Sequence, residues 1–409
     1  MRRVVVTGMG AVTPVGNTVE QTWENLVAGK NGIGPITRFD SSNLKVHIAA
    51  EVKDFDPLQY FSKSDLRKND LFTQYAVAAA EQAMADSGIK DHIAPERLGV
   101  YLGSGIGGIT TTLENHTSME NGKHVSPYMI PAMIINMGAG VISMRTGAKC
   151  PCVPIVTACA TSTHTVGEAF HCIRDGYADA VIAGGSEAAL VPLTVAGFSS
   201  CKALTTNPDP ATASIPFDKR RSGFVLGEGA AILILEEYEH AKARGAKIYG
   251  EVLGYANTGD AYHFTAPEPE AEGITRCIRL ALEEAGITPD EHTYVNAHGT
   301  STQLNDATET KGFKQAFGEA AYKVKISSTK SMTGHLLGAT GALEAIACLK
   351  AIDTGDIPPT IGLTEPDPAC DLDYTPGKSV HMDVENAIST NLGFGGHNGC
   401  LVFGKVREA

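Results

Sequence analysis

The sequence is short of positive charge, of tryptophan and of long hydrophobic runs. It has 33 lysine and arginine residues against 46 aspartate and glutamate residues, a formal net charge of −13. This surplus of negative charge opposes non-specific binding to nucleic acid, so no nucleic-acid partner is expected. No run of about 18 apolar residues occurs, which predicts no membrane span. The segment Met1–Gly8 also lacks the apolar stretch of a signal peptide, so we expect a cytoplasmic protein.

Paired cysteine motifs are missing as well. The chain has nine cysteines but no C-x-x-C pair, and Cys150 and Cys152 come nearest to one. This spacing suits neither a zinc ribbon nor a dithiol redox centre, so no metal is predicted, and a reduced compartment fits best. Charged residues make up only 19% of the chain, which favours an oligomer that hides part of its surface.

Short β-branched runs alternate with longer helical patterns through all 409 residues, of which 43% are hydrophobic. The runs predict strands at Arg3–Thr7, Leu98–Gly103, Val153–Thr157, Ala180–Ala183, Ala230–Leu235, Tyr249–Gly254, Thr293–Asn296, Val324–Ser327, Ala387–Asn391 and Gly399–Phe403. The patterns between them predict helices at Leu71–Ser87, Ser162–Asp175, Gly273–Ala285, Asp306–Phe317 and Gly341–Asp353. Such alternation is typical of α/β layers.

The predicted elements form two sets of similar count and order. We therefore expect two α/β halves, residues 1–248 and 249–409, packed as one body because no proline- or serine-rich linker separates them. Two segments, Asn115–Pro131 and Asn207–Gly223, have weak periodicity and are predicted to be long excursions. Long excursions in a compact fold usually serve function or cover a partner.

Cys159 is the candidate nucleophile. It follows a predicted strand and precedes a predicted helix, and small residues flank it on both sides. The positive end of that helix is expected to lower the pKa of the thiol and make the thiolate available at neutral pH. An ordinary buried cysteine is the competing interpretation, and it fits the other eight cysteines better.

Two histidines share a similar context in the second half. His298 follows the predicted strand Thr293–Asn296, and His335 follows Val324–Ser327; each stands beside glycine in a loop. Side chains at strand ends face the cleft where the halves join, so we expect the thiol and both imidazoles to meet there.

The motifs around these residues match a known family in order and over nearly the whole chain. They are Val6-Thr7-Gly8-Met9-Gly10-Ala11-Val12-Thr13-Pro14, Thr157-Ala158-Cys159-Ala160-Thr161-Ser162, Asn296-Ala297-His298-Gly299-Thr300-Ser301-Thr302, Ser328-Thr329-Lys330-Ser331-Met332-Thr333-Gly334-His335 and Asn391-Leu392-Gly393-Phe394-Gly395-Gly396-His397-Asn398-Gly399. In them the chain resembles the elongating β-ketoacyl-acyl-carrier-protein synthases of the synthase II kind. The resemblance implies a thiolase-like fold of duplicated α/β halves in α-β-α-β-α layers.

The resemblance also implies fatty acid elongation by decarboxylative condensation. Cys159 would hold the acyl group, while His298 and His335 would bind the malonyl thioester and assist loss of carbon dioxide. The backbone N–H groups of Cys159 and Phe394 would form an oxyanion hole. Lys330 and Glu344 would pair to order the histidine loops, and no metal or other cofactor is expected beyond the phosphopantetheine that carries the substrates.

Further implied contacts concern substrate and partners. Thr300 and Thr302 would bind the phosphopantetheine arm, Phe394 would gate entry, and Ile106, Thr265 and Phe198 would line the substrate path. The expected partners are a second copy of the chain, as a homodimer, and an acidic acyl carrier protein. The candidate docking residues for that carrier are Lys63, Arg67, Lys68 and Lys202. The competing interpretation for each is an ordinary solvated surface charge with no role in docking.

Two positions depart from the family pattern: His397 replaces a smaller residue and Leu392 replaces a frequent phenylalanine, which leaves the details of gating open. A polyketide ketosynthase is the main alternative, because it shares all these motifs. A dehydrogenase, suggested by the glycines at 103–108, lacks the acidic ribose ligand. A β-lactamase-like S-x-x-K at 327–330 lacks its K-T-G companion. Three related classes fit less well. A thiolase requires a second catalytic cysteine, and a chain-initiating synthase requires asparagine in place of His335. A non-enzymatic relative lacks the cysteine that this chain has at position 159.

Overall fold

The computed structural model describes residues 1–407, and a ten-stranded sheet runs through its centre. We number these strands β1–β10 in chain order. They are β1 Val4–Val12, β2 Leu98–Gly103, β3 Cys152–Val153, β4 Ala180–Glu187, β5 Gly229–Glu237, β6 Gly250–Gly259, β7 Thr293–Asn296, β8 Lys325–Ser327, β9 Asn386–Gly393 and β10 His397–Gly404. Each of the ten predicted strands has a counterpart. Two-residue strands also pair at Gly34–Pro35 with Ile48–Ala49 and at Asp356–Ile357 with Val380–His381.

The sheet is the same five-stranded arrangement used twice. Its order is β8-β7-β9-β10-β6-β1-β5-β4-β2-β3. In the first half β1 pairs antiparallel with β5, and β5 pairs antiparallel with β4. β4 then pairs parallel with β2, and β2 pairs parallel with β3. In the second half β6, β10, β9, β7 and β8 repeat that order and those directions. An antiparallel contact between β1 and β6 joins the halves.

Thirteen α-helices of the described chain surround this sheet. They are α1 Val19–Val27, α2 Lys63–Leu66, α3 Leu71–Ser87, α4 Ile109–Glu120, α5 Met129–Met133, α6 Asn136–Thr146, α7 Thr161–Arg174, α8 Pro192–Ser200, α9 Tyr238–Ala243, α10 Glu272–Ala285, α11 Gln303–Phe317, α12 Lys330–Thr333 and α13 Thr340–Thr354. Single 3₁₀ turns lie at Pro57–Gln59, Ile89–Asp91, Pro95–Arg97, Ala158–Ala160, Gly318–Tyr322 and Leu337–Ala339. The five predicted helices are confirmed to within three residues at each end.

Three apolar cores give the layers. The central core holds α7 and α13 between the two halves of the sheet, with Phe170 and Leu343 packed among strand residues of both halves. The second core buries α3 on the outer face of the first half, and the third buries α10 on the outer face of the second. The order is therefore helix, sheet, helix, sheet, helix, which confirms the predicted thiolase-like fold class. The exact domain boundary at 248/249 stays a prediction.

Two local predictions were wrong. The strand predicted over Val153–Thr157 is only Cys152–Val153, because Pro154 has no N–H to donate and the chain then leaves the sheet edge. The excursion predicted at Asn115–Pro131 contains the second half of α4 and the start of α5. No residue of α4 is buried, so the helix carries no apolar stripe and its periodicity is invisible in the sequence. Between residues 1 and 407 no helix is long and apolar enough to cross a membrane.

Candidate active site

Cys159 sits on a sharp turn at the entry to the central helix α7. Ala158 adopts a left-handed backbone conformation, with φ of 50°, and reverses the chain before the single 3₁₀ turn Ala158–Ala160. Helix α7 then begins at Thr161. The thiol is 8% exposed and lies in the wall of a cavity of about 420 Å³. The predicted turn and helix around the thiol are therefore present, whereas the strand before them ends at Val153.

The pKa of the thiol differs from the expectation. Burial raises the pKa of Cys159 to about 12, opposed by the positive charge of Lys330 and by the backbone N–H groups of Phe394 and of Cys159 itself. The prediction of a standing thiolate at neutral pH was wrong, because loss of hydration outweighs these favourable groups. The same two N–H groups lie beside the sulfur, and their role as an oxyanion hole stays a prediction.

The two predicted histidines meet the thiol. His298 and His335 are each 1% exposed, and their ring centroids lie 5.3 Å apart at an angle of 87°. The sulfur of Cys159 and one ring nitrogen from each histidine lie within 4.8 Å of one another. Burial, and then the charge of Lys330, hold the pKa of both imidazoles well below its ordinary value. Both rings are therefore neutral at physiological pH.

The hydrogen bonds of His335 define its tautomer. The backbone N–H of Leu337 donates to Nδ1 over 3.2 Å, and the Thr340 hydroxyl lies 3.0 Å from the same atom. Nδ1 is therefore the acceptor nitrogen, and the proton resides on Nε2. Nε2 is buried and finds no partner among the described residues. Nε2–H of His335 is therefore a free donor in a residue that lines the cavity.

This tautomer also bears on metal binding. A thiol and two imidazoles at this spacing form a potential ligand set. A metal would require the lone pair of Nε2 on His335, which the N–H of Leu337 opposes by occupying the lone pair of Nδ1. The geometry favours a hydrogen-bond donor over a metal ligand at this position.

His298 is held by a chain of buried polar groups. Asn391 Nδ2 lies 3.0 Å from its Nδ1 and donates over 2.8 Å to Glu344 Oε2. The other oxygen of Glu344 pairs with Lys330, and both side chains are 1% exposed. The predicted pair therefore exists, and Asn391 links it to His298. Burial raises the pKa of Glu344 to about 7, against the opposing charge of Lys330.

Glu309 holds the His298 loop from the other side. Its Oε1 accepts from the His298 N–H at 2.7 Å, and its Oε2 accepts from the Gly299 N–H at 2.8 Å. The Thr390 hydroxyl donates to it as well, and burial raises its pKa to about 7. Sequence reasoning assigned no role to Glu309, Asn391 or Thr340. Their polar side chains on buried faces of helices and strands were the available signal.

The cavity places the remaining predicted residues in two groups. Thr300, Thr302, Thr265, Lys202 and Phe394 line it together with the catalytic set. Ile106 and Phe198 do not line it but pack with Cys159 and Phe394 in one apolar cluster. Phe394 belongs both to the cavity lining and to this cluster, and its ring lies 6.2 Å from that of Phe198.

The departures from the family pattern lie near the gate. Leu392 lines the cavity. His397 lies outside the cavity lining, 6.4 Å from the ring of His164, which fits the interpretation of a loop variant. The loop that carries Thr265 is bound to the glycine turn, because Gly395 donates to the carbonyl of Phe264 over 2.8 Å.

The predicted docking residues are at the surface. Lys63 and Arg67 are exposed on and just after the short helix α2, which sequence reasoning had placed before a helix. Lys68 is half-buried and pairs with Asp65 at 2.9 Å, so its charge is partly neutralised. Lys202 stands at the cavity itself.

A duplicated five-layered fold with a thiol from one half and two imidazoles from the other defines a thiolase-like condensing enzyme. Family models agree: the β-ketoacyl synthase N-terminal domain matches residues 1–241, and the C-terminal domain matches residues 249–364. The chain belongs to the β-ketoacyl synthase family. The predicted family and the predicted class, an acyl-transferring condensing enzyme, are confirmed.

Individual relatives match over their whole length. A Synechocystis protein named 3-oxoacyl-[acyl-carrier-protein] synthase 2 is 51% identical over 410 residues, covering 99% of each chain. A β-ketoacyl synthase from Burkholderia phymatum is 38% identical, with a TM-score of 0.92 and full coverage of both chains. A type II polyketide ketosynthase solved in complex with its acyl-carrier protein is 34% identical, with a TM-score of 0.90 over 99% of this chain and 100% of that one.

Proposed function

We propose that this protein elongates fatty acyl chains by decarboxylative condensation of an acyl group on Cys159 with malonyl-acyl carrier protein. Full-length identity of about half to proteins named 3-oxoacyl-[acyl-carrier-protein] synthase 2 confirms chain elongation as the function. The roles of the individual residues are our proposal. The observation that carries them is the buried sulfur with two neutral imidazoles within 4.8 Å in the cavity wall.

The first step is acyl transfer. The sulfur of Cys159 attacks the thioester carbonyl of the acyl donor while the backbone N–H groups of Cys159 and Phe394 bind the developing oxyanion. The bond between the carbonyl carbon and the pantetheine sulfur breaks. The thiol proton of Cys159 leaves with that sulfur, so the carrier departs as a free thiol. A neutral imidazole nearby relays this proton, because the buried thiol does not ionise by itself at pH 7.

The second step is decarboxylation and condensation. Nε2–H of His335 donates to the malonyl thioester carbonyl, and His298 supports the same oxygen. The carbon–carbon bond to the carboxylate breaks and carbon dioxide leaves. The electron pair of that bond stays on the thioester and forms an enolate. The enolate carbon attacks the acyl carbonyl, the bond to the Cys159 sulfur breaks, and the released thiolate takes up a proton from solvent. Each donor contributes about 3 kcal/mol by comparison with other oxyanion sites.

The surrounding residues support this chemistry. Lys330 and Glu344, through Asn391, orient the ring of His298. Thr300 and Thr302, whose hydroxyls lie 2.9 Å apart beside the cavity, would bind the phosphopantetheine arm. Thr265 lies on the opposite loop. Ile106 and Phe198 would contact the acyl chain after the Phe394 ring moves aside, since they now pack against it. No other cofactor is proposed.

Mass spectrometry of Cys159 tests the proposal. The protein is mixed with acyl carrier proteins of graded chain length, and malonyl-acyl carrier protein is then added. We expect an acyl adduct on Cys159 and then a single product longer by two carbons. A polyketide ketosynthase, the alternative favoured by the structural likeness to such enzymes, would instead extend one chain repeatedly to an unreduced poly-ketone. Absence of an adduct on Cys159 would contradict both.

We further propose a cytoplasmic homodimer that docks acyl carrier protein through a local basic patch formed by Lys63, Arg67, Lys68 and Lys202. The low charged fraction supports a dimer, and light scattering at micromolar concentration should give twice the 43.0 kDa chain mass. A chain of net charge −13 repels an acidic carrier in bulk, so docking requires locally positive surface.

Charge reversal tests the patch. Changing Lys63, Arg67 and Lys68, which lie outside the cavity lining, to Glu should raise KM for carrier-bound substrate and leave reaction with a small pantetheine thioester unchanged. The matched control reverses three exposed lysines, Lys90, Lys323 and Lys378, which form no salt bridge with residues 1–407, and alters net charge equally. Equal losses on both substrates would assign the patch to folding or catalysis, and equal effects of both triple variants would assign the effect to bulk charge.

A further inference from the structure

A buried carboxylate outside the catalytic set joins two loops of the reaction centre. Glu187 ends β4 and is fully buried. Its Oε1 accepts from Ser104 Oγ at 2.8 Å and from the Ile106 N–H at 3.1 Å. Its Oε2 accepts from the Gly105 N–H at 2.7 Å and from the Gly338 N–H at 3.0 Å. Burial raises its pKa, and the main opposing groups are these four donors, none of them a cation.

The two loops carry different parts of the reaction. Ile106, on the first loop, packs in the apolar cluster with Cys159 and Phe394. Gly338, on the second loop, directly follows Leu337, whose N–H donates to Nδ1 of His335. Of two consecutive peptide groups, one therefore sets the tautomer of the catalytic imidazole and the next is tied to Glu187.

The two loops pack backbone against backbone at Gly338 and Gly105. A Cβ on Gly338 would lie 2.4 Å from the backbone nitrogen of Gly105, so only glycine permits the approach. Two adjacent backbone N–H groups, of Gly105 and Gly338, then converge on a single carboxylate oxygen. Such charge-assisted hydrogen bonds are short and about twice as strong as neutral ones.

We propose that Glu187 is a positioning residue that locks the acyl-side wall at Ile106 to the His335 loop, and thereby sets both acyl chain-length preference and the placement of the decarboxylating donor. This inference rests on the proposed function. Glu187 does not line the cavity. Its carboxylate is the shared anchor, so movement of the wall by a bound acyl chain is transmitted to the second loop through the Gly338 N–H.

The isosteric change Glu187→Gln removes half of the anchor. A carboxamide has one acceptor oxygen, and its NH₂ group must face N–H donors on the other side. The wall at Ile106 or the turn at Gly338 is then released. We expect the ratio of long-chain to short-chain acylation of Cys159 to rise at least tenfold, and malonyl decarboxylation to fall at least tenfold.

The matched control is Glu236→Gln. Glu236 is an equally buried carboxylate on the neighbouring strand β5. Its partners Thr7 and Arg244 belong to neither of the two loops that Glu187 joins. It should lower the melting temperature without changing the acylation ratio. A milder second variant, Ser104→Ala, removes one donor and keeps the carboxylate, and should shift the ratio at least threefold in the same direction.

Two measurements are made. The first is acylation of Cys159 by carriers of graded chain length, read by mass spectrometry, and the second is release of carbon dioxide from malonyl carrier. An unchanged ratio in Glu187→Gln, or the same ratio change in Glu236→Gln, overturns the inference. If Glu187→Gln does not fold, Ser104→Ala decides alone by the threefold criterion. Failure of the wild-type protein to acylate Cys159 would instead overturn the proposed function, so the two failures are distinguishable.

Discussion

The protonation state of Cys159 gives the sharpest test of the site. The sequence context, a thiol at a helix N-terminus, predicts a thiolate near neutral pH. The structure buries the sulfur and raises the pKa of the thiol to about 12. At pH 7 the thiolate is then roughly one part in 10⁵, and its fraction rises about tenfold with each pH unit. Between pH 7 and pH 10 alkylation should accelerate roughly a thousandfold.

The assay is alkylation by iodoacetamide at a series of pH values, with the adduct on Cys159 resolved by peptide mass spectrometry. Alkylation of Cys201, which is exposed at the same cavity, controls for access and for decay of the reagent. The logarithm of the Cys159 rate should rise with unit slope throughout. A plateau below about pH 9 would refute the reasoning, because it would mean that Lys330 and the backbone N–H groups outweigh burial.

Three further predictions follow from the same geometry. Cys159→Ala should abolish condensation but retain malonyl decarboxylation, since the histidines serve that step; condensation near the wild-type rate would refute the nucleophile. His298→Ala or His335→Ala should slow carbon dioxide release about 100- to 1,000-fold while acylation of Cys159 stays measurable, and the reverse pattern would exchange the assigned roles. Lys330→Met should lower the free energy of unfolding by about 3–5 kcal/mol by stranding Glu344, and Lys330→Met with Glu344→Met should recover most of it in denaturant titrations; no recovery would mean that packing, not charge, causes the loss.

Local signals determined much of the fold before any contact was known. Period-two and period-3.6 patterns located the ten strands and five main helices, because each buries an apolar face against the central layers. They failed on α4, which buries none of its residues. They also failed to extend β1 through Gly8 and Gly10, where the close approach of α3 leaves no space for side chains.

The sequence by itself singled out the candidate groups for the chemistry: a cysteine just before a predicted helix, and two histidines beside glycine in loops that follow predicted strands. Only the tertiary structure decided their state. It placed Leu337 N–H on His335 Nδ1 and so chose the tautomer. It joined Lys330, Glu344 and Asn391 to His298 across long chain separations. It also reversed the expected direction of the Cys159 pKa, because hydration of a side chain depends on everything packed around it and no local motif records that.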